Sequence, residues 1–145
     1  MKNIVPVNAT YSEAIRALHI VKVEEEKLFF HPYSNCTIYR FINSEDEWCE
    51  IFVSYRTPVA MIDCYGWANV RNKYSPTTSR QVSWYFNDIA RRVRGDMDVR
   101  TVRRDCKQIE FNNMLTGEVQ GYADHLALEF FYRAIENELK FGYKL

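Results

Sequence analysis

A chain of 145 residues with a formal net charge of +0 and a charged fraction of 26% is the size of one domain, and on folding it buries roughly 70% of the surface its unfolded form exposes. That balance excludes a strongly acidic DNA mimic and a strongly basic nucleic-acid coat, so any electrostatic partner has to be selected by a local patch. The aromatic fraction of 15%, with 10 Tyr, is high and supplies rings for both a core and a surface.

In chain order, Thr10 to Val23 carries apolar residues at Ala14, Ile15 and Leu18, with Thr10 or Ser12 as a cap, and predicts a short helix; "HIVKV" is branched enough to read as a strand instead. The acidic stretch Glu24 to Glu26 reads as a solvated turn or helix end. After it come "KLFFHPY", "CTIYRFI", "WCEIFVSY" and "PVAMIDCY", rich in Ile, Val, Phe, Tyr and Trp and separated by polar breaks, followed by "GWANVRNKY" as a last strand. In "CEIFVSY", Ile51, Val53 and Tyr55 alternate with Glu50, Phe52 and Ser54. Pro58 opens a strand or sits at an edge, because it cannot donate a ladder hydrogen bond.

From Thr78 the period becomes helical. Val82, Tyr85, Phe86, Ile89, Ala90 and Val93 share one face, Arg80, Asn87, Asp88 and Arg91 face water, and Gly95 is the stop signal. A second helix is predicted from Tyr122 to Lys140, with Leu126, Phe130, Phe131, Ala134 and Ile135 as its apolar stripe. Together these elements predict one α+β domain: an antiparallel meander of about four strands packed against two main helices.

The stretch "KYSPTTSRQVSWYF" allows two readings. Thr78 and Gln81 fit a capping box that starts the helix. Ser75, Thr77 and Ser79, beside Arg80 and the free amides of the helix start, could instead hold a phosphate or carboxylate. "YRTPVAMID" followed by "KYSPTTSRQ" resembles a signature of small bacteriophage and mobile-element proteins, Tyr-x-Thr-x-Val-Ala and then Tyr-Ser-x-Thr-Thr-Ser, matched here by Tyr55, Thr57, Val59, Ala60, Tyr74, Ser75, Thr77, Thr78 and Ser79. The resemblance covers Tyr55 to Phe86 and implies a phage or plasmid setting, a strand-strand-helix unit and a cytoplasmic target. It brings no catalytic residues with it.

Arg91, Arg92, Arg94, Arg100, Arg103, Arg104 and Lys107 form the most polarised stretch, interrupted by Asp96, Asp98 and Asp105. Guanidinium groups near aromatic rings suit phosphates and bases, and equally the carboxylates of a protein partner. Trp84 cannot share a helix face with both Tyr85 and Phe86, so it is either an exposed interface anchor or the cover of a neighbouring segment.

His19, His31 and His125 stand apart from one another, and Cys36, Cys49, Cys64 and Cys106 form no Cys-x-x-Cys pair, which speaks against a metal site and for free thiols. No apolar run reaches the roughly 18 residues of a membrane span and the N-terminus lacks a secretory segment. A cytoplasmic protein without membrane contact is the expectation, in the host cytoplasm if it is phage-encoded. The expected function is non-enzymatic and cofactor-free: an accessory protein that binds a host protein, for example to inhibit a defence complex such as a CRISPR effector. The alternative is a nucleic-acid-binding module using the Arg91 to Lys107 cluster. Self-association of basic and acidic faces into a homo-oligomer is compatible with either.

Overall fold

The computed structural model of the chain describes residues 4–28, 35–71, 75–93, 110–142 and 145, with only the backbone of 90–93 included. It is an α+β fold with an antiparallel seven-stranded sheet in sequential order, and among the described residues three α-helices. The strands are β1 (Ile20–Lys27), β2 (Cys36–Asn43), β3 (Trp48–Ser54), β4 (Thr57–Asp63), β5 (Trp67–Val70), β6 (Glu110–Asn113) and β7 (Val119–Gly121). The helices are α1 (Tyr11–Ala17), α2 (Pro76–Val93) and α3 (Leu126–Lys140), the last preceded by a 3-10 turn at Tyr122–His125.

The sheet thus exceeds the four predicted strands. Both readings of the N-terminal segment hold in part: Thr10 closes a capping box with Glu13 to start α1, and the branched residues after it begin β1. Glu24 to Glu26 lie inside that strand rather than in a turn; β1 is the outermost strand, where charged side chains are tolerated because they reach water and discourage edge pairing. Of the predicted strand "KLFFHPY", residues 29–33 lie outside the described residues. The strands β6 and β7, built from "EFNN" and "VQG", have almost none of the branched residues that advertise a strand.

Helices cover the sheet on both faces, which is why β3 and β4 are buried along nearly their whole length instead of alternating with water. On one face Phe41, Ile51, Val53 and Met61 pack against Leu18, just past α1, and Phe131, Tyr132 and Ile135 of α3; the Phe41 and Phe131 rings meet edge to face at 4.9 Å. On the other, Ile38, Phe52, Ile62 and Val70 pack under Val82, Tyr85, Phe86 and Ile89 of α2, and Phe52 stacks on Tyr85 at 4.7 Å. The predicted stripe of α2 is the buried one as far as side chains are described. That of α3 is rotated: Leu128, Phe131, Tyr132, Ala134, Ile135 and Leu139 are buried, whereas Leu126 is exposed.

The α2 face also buries polar groups. Glu50 is fully buried, accepts hydrogen bonds from the Tyr85 hydroxyl at 3.0 Å and from Arg40 Nε at 2.7 Å, and pairs with Arg40 Nη2. Removing Glu50 would leave Arg40 and Tyr85 without their common acceptor, the expensive way to break such a network. On the opposite face Arg71, at the end of β5, stacks 4.2 Å over the Tyr132 ring and lies 2.7 Å from the buried Glu129, which also accepts from Arg133 Nε at 2.9 Å. No helix among the described residues is long and apolar enough to cross a membrane.

Candidate recognition site at one end of the sheet

In a meander, alternate turns fall at opposite ends of the sheet. One end collects the β3–β4 turn, the end of β1, the start of β2 and the start of α2. The β3–β4 turn has only two residues, Tyr55 and Arg56, between the paired Ser54 and Thr57. Two-residue hairpins need positive φ in the loop, usually met by Gly or Asn; here Tyr55 meets it, with φ 58°. Its amide donates to the Asn35 carbonyl at 2.7 Å, and its side chain is 69% exposed. A bulge follows, because Phe52 pairs with Ala60 but Val53 with Pro58, leaving Val59 without an opposite residue. The Pro58 carbonyl accepts from the Tyr132 hydroxyl, which ties the strained turn to α3.

Beside Tyr55 an open groove of about 580 Å³ is lined by Lys27, Asn35, Cys36, Thr37, Arg56 and Thr57. Lys27 lies 3.7 Å from Glu25, both partly exposed. Arg56 has no ion pair among the described residues and runs against Gly142 just past α3: a Cβ there would come within 2.9 Å of Arg56 Nη1, and Gly142 has φ 80°. Glycine at 142 suits the left-handed backbone, and a side chain there would also push the Arg56 guanidinium aside. The thiol of Cys36 at the groove floor is buried, and burial pushes it up despite a hydrogen bond with Ser54 that acts the other way. It is a protonated, weakly reactive thiol at neutral pH. Among the described residues no cluster of His, Cys, Asp or Glu is placed to hold a metal.

The same end brings the two halves of the Tyr55 to Phe86 signature together. The Ser54 hydroxyl donates to Gln81 Oε1 at 2.8 Å, both residues buried. Gln81 is thus a bridge from α2 to the sheet rather than the far member of a capping box on Thr78. The helix begins three residues earlier than that box implies: Ser75 Oγ accepts from the Thr78 amide at 3.3 Å, and α2 starts at Pro76, a residue suited to a first helical position because it has no amide to satisfy. Ser75, Thr77 and Arg80 are exposed and Ser79 is half-buried, its carbonyl accepting from Ser83. Arg80 Nε reaches the Pro76 carbonyl at 3.4 Å.

Trp84 is half-buried and packs on the α2 core, 6.4 Å from Phe52, so it covers a neighbouring strand. Arg91 and Arg92 fall on α2 with side chains outside the described residues, and Arg94, Arg100, Arg103, Arg104 and Lys107 also lie outside them. The sequence pattern names Tyr55 as a signature position and as the last residue of the "CEIFVSY" alternation, but β3 ends at Ser54 and Tyr55 lies in the turn; Thr57 is named for the signature, and Lys27 and Arg56 are given no role. The dipeptide "YR" between two strand runs was the available signal, since so short a loop puts both side chains at a tip.

A family model described as a family of unknown function (DUF8033) matches residues 23–101, which include the whole groove and both signature halves. Comparison with curated proteins and comparison with solved structures each returned no match.

Proposed function

For a chain that belongs to DUF8033, a family of unknown function, we propose a non-enzymatic binding role: an accessory protein of a phage or mobile element that recognises a host protein through the Tyr55 end of its sheet. The observation that carries this reading is an exposed aromatic side chain held in a left-handed backbone conformation at the tip of a rigid hairpin. Strain at a bulky residue persists when the surroundings enforce it, and it concentrates at sites that act on something. An exposed, preorganised Tyr is a typical interface anchor. The phage setting, and inhibition of a defence complex such as a CRISPR effector as one form of the role, rest on the signature alone.

The test is a photo-crosslinking amino acid at position 55, compared with the same group at position 65 on the opposite end, in a bacterial host lysate. A discrete protein product from position 55 that is competed away by unlabelled wild-type protein, and is absent from position 65, supports the reading. Equal labelling from both positions, or none, overturns it. Crosslinking of nucleic acid from position 55 favours the alternative of a nucleic-acid-binding module.

A further inference from the structure

Resting on that binding reading, we propose that the groove beside Tyr55 takes an acidic, extended segment of the partner protein, with its carboxylates between Lys27 and Arg56 and its chain packed on the Tyr55 ring. None of the described lining residues is acidic, and Asn35, Thr37 and Thr57 add neutral hydrogen-bonding groups to the two cations. Guanidinium and ammonium groups facing an open groove make charge-assisted hydrogen bonds with carboxylates, about twice as strong as neutral ones. Arg56 is the better of the two because its planar guanidinium can meet a carboxylate with two parallel N–H donors, whereas the Lys27 ammonium is a single point charge already beside Glu25.

The surroundings select the class of anion. Lys27 ends β1, and the residues before it are Glu24, Glu25 and Glu26, with Glu25 beside the Lys27 ammonium. A nucleic-acid backbone, with a negative charge about every 1.7 Å along a duplex, would meet Glu25 on the Lys27 face of the strand as it left the groove on that side, with Glu24 and Glu26 on the strand's other face. A short acidic segment of protein can stop before them. The chain's net charge of +0 likewise gives a polyanion no long-range attraction. An open groove also encloses too little of a small metabolite, which tight sites bury by roughly 70–90%, whereas an extended chain gains contact along its length.

The experiment measures fluorescence anisotropy of the full-length protein with a fluorescein-labelled oligoglutamate peptide and with a labelled single-stranded DNA oligonucleotide, each across a salt series. The variants are Lys27→Gln, Arg56→Gln and Tyr55→Ala, with thermal melting as the control for folding, since all three side chains are exposed. The expected result is peptide binding at low salt that weakens roughly tenfold in each cation variant, with weaker DNA binding. DNA binding tighter than peptide binding, no peptide binding, or peptide binding indifferent to Lys27 and Arg56 overturns the proposal. If a protein is still crosslinked from position 55 while the peptide fails to bind, only the acidic character of the partner is wrong and the binding role stands.

Discussion

The two ends of the sheet solve the same problem in opposite ways. At the end away from Tyr55, three consecutive hairpins each turn on one buried side-chain oxygen. Asn43 Oδ1 accepts from the amides of Glu45 and Glu47, Asp63 Oδ1 from Tyr65 and Trp67, and Asn113 Oδ1 from Leu115 and Thr116, at 2.8 to 3.0 Å. Such short side chains bonded to the backbone just ahead are the local chemistry of a turn. The loops are also stitched to one another, by Tyr65 to Glu47 and by Asn113 Nδ2 to the Tyr65 carbonyl. The hydrogen bond to Glu47 pushes the exposed Tyr65 hydroxyl up to about 12. Positive φ is met there by His19, Asp46, Gly66 and Gly117, residue types that accept it more readily than a Tyr, while at the other end it falls on Tyr55 and Gly142. One end satisfies its polar groups internally; the other presents a strained ring and two cations to water.

The largest effects should therefore come from the satisfied end. Asp63→Ala or Asn113→Ala removes a buried acceptor shared by two part-buried backbone amides, and each donor left without an acceptor costs up to about 1–3 kcal/mol. A loss of about 2–4 kcal/mol per variant is expected in chemical denaturation, with oligoglutamate binding by the remaining folded protein unchanged. A loss under about 0.5 kcal/mol, within the range of ordinary surface changes, would break the contrast between the ends.

Gly142→Ala comes next and acts at the Tyr55 end. A left-handed Ala costs about 1–2 kcal/mol, and its Cβ would displace the Arg56 guanidinium. Peptide affinity and stability should fall together. Unchanged affinity with lowered stability would mean that the Arg56 guanidinium moves aside and still reaches the groove.

A smaller effect concerns His125, wedged between Trp67 and Phe111 at ring distances of 4.3 and 4.9 Å and bonded to Gln120 at 2.8 Å. Burial holds its imidazole below the ordinary 6.5, against the opposing pull of Asp124. Because the unfolded chain then takes up the proton first, this contribution is complete above about pH 6.5 and is lost as pH falls from there toward the folded value. His125→Gln should flatten the melting temperature between about pH 7 and 5.5. Asp63, raised by burial, acts in the opposite sense as pH falls and is common to both proteins, so the difference between them isolates His125.

Periodicity was legible wherever the two sides of an element meet different surroundings, water behind α2 and a second core behind β3. The α2 stripe from Val82 to Ile89 and the alternation of Ile51 and Val53 against Glu50 and Phe52 are both found as the sequence pattern dictates. Legibility failed where tertiary context supplies the reason for an element. The strand Glu110–Asn113 exists because β5 and β7 flank it and because Asn69 Nδ2 reaches the Glu110 carbonyl at 2.6 Å, a partner 41 residues away that no local pattern encodes. No local pattern marks Glu50 and Glu129 as buried, because Arg40 and Arg71, which pair with them across the fold, lie outside their own elements. The groove was illegible for the same reason: Lys27, Asn35 and Arg56 are separated by chain and joined only by strand register.

The smallest predicted effect separates the two ends by sign. Tyr55→Asn puts a residue that tolerates the left-handed region at the hairpin tip, relieving part of a cost of about 1–2 kcal/mol. Little packing is lost, since the ring is mostly exposed. Stability should rise by about 0.5–1 kcal/mol, a melting shift of roughly 1–4 °C for a chain of this size, while binding at the groove declines. Substitution at the turns of Asp63 and Asn113 can only lower stability, because those side chains are the structure of their turns. A gain in stability coupled to a loss of binding is the mark of a residue retained for recognition; if Tyr55→Asn instead destabilised the protein, Tyr55 would be one more structural tip residue and the two ends would differ in charge alone.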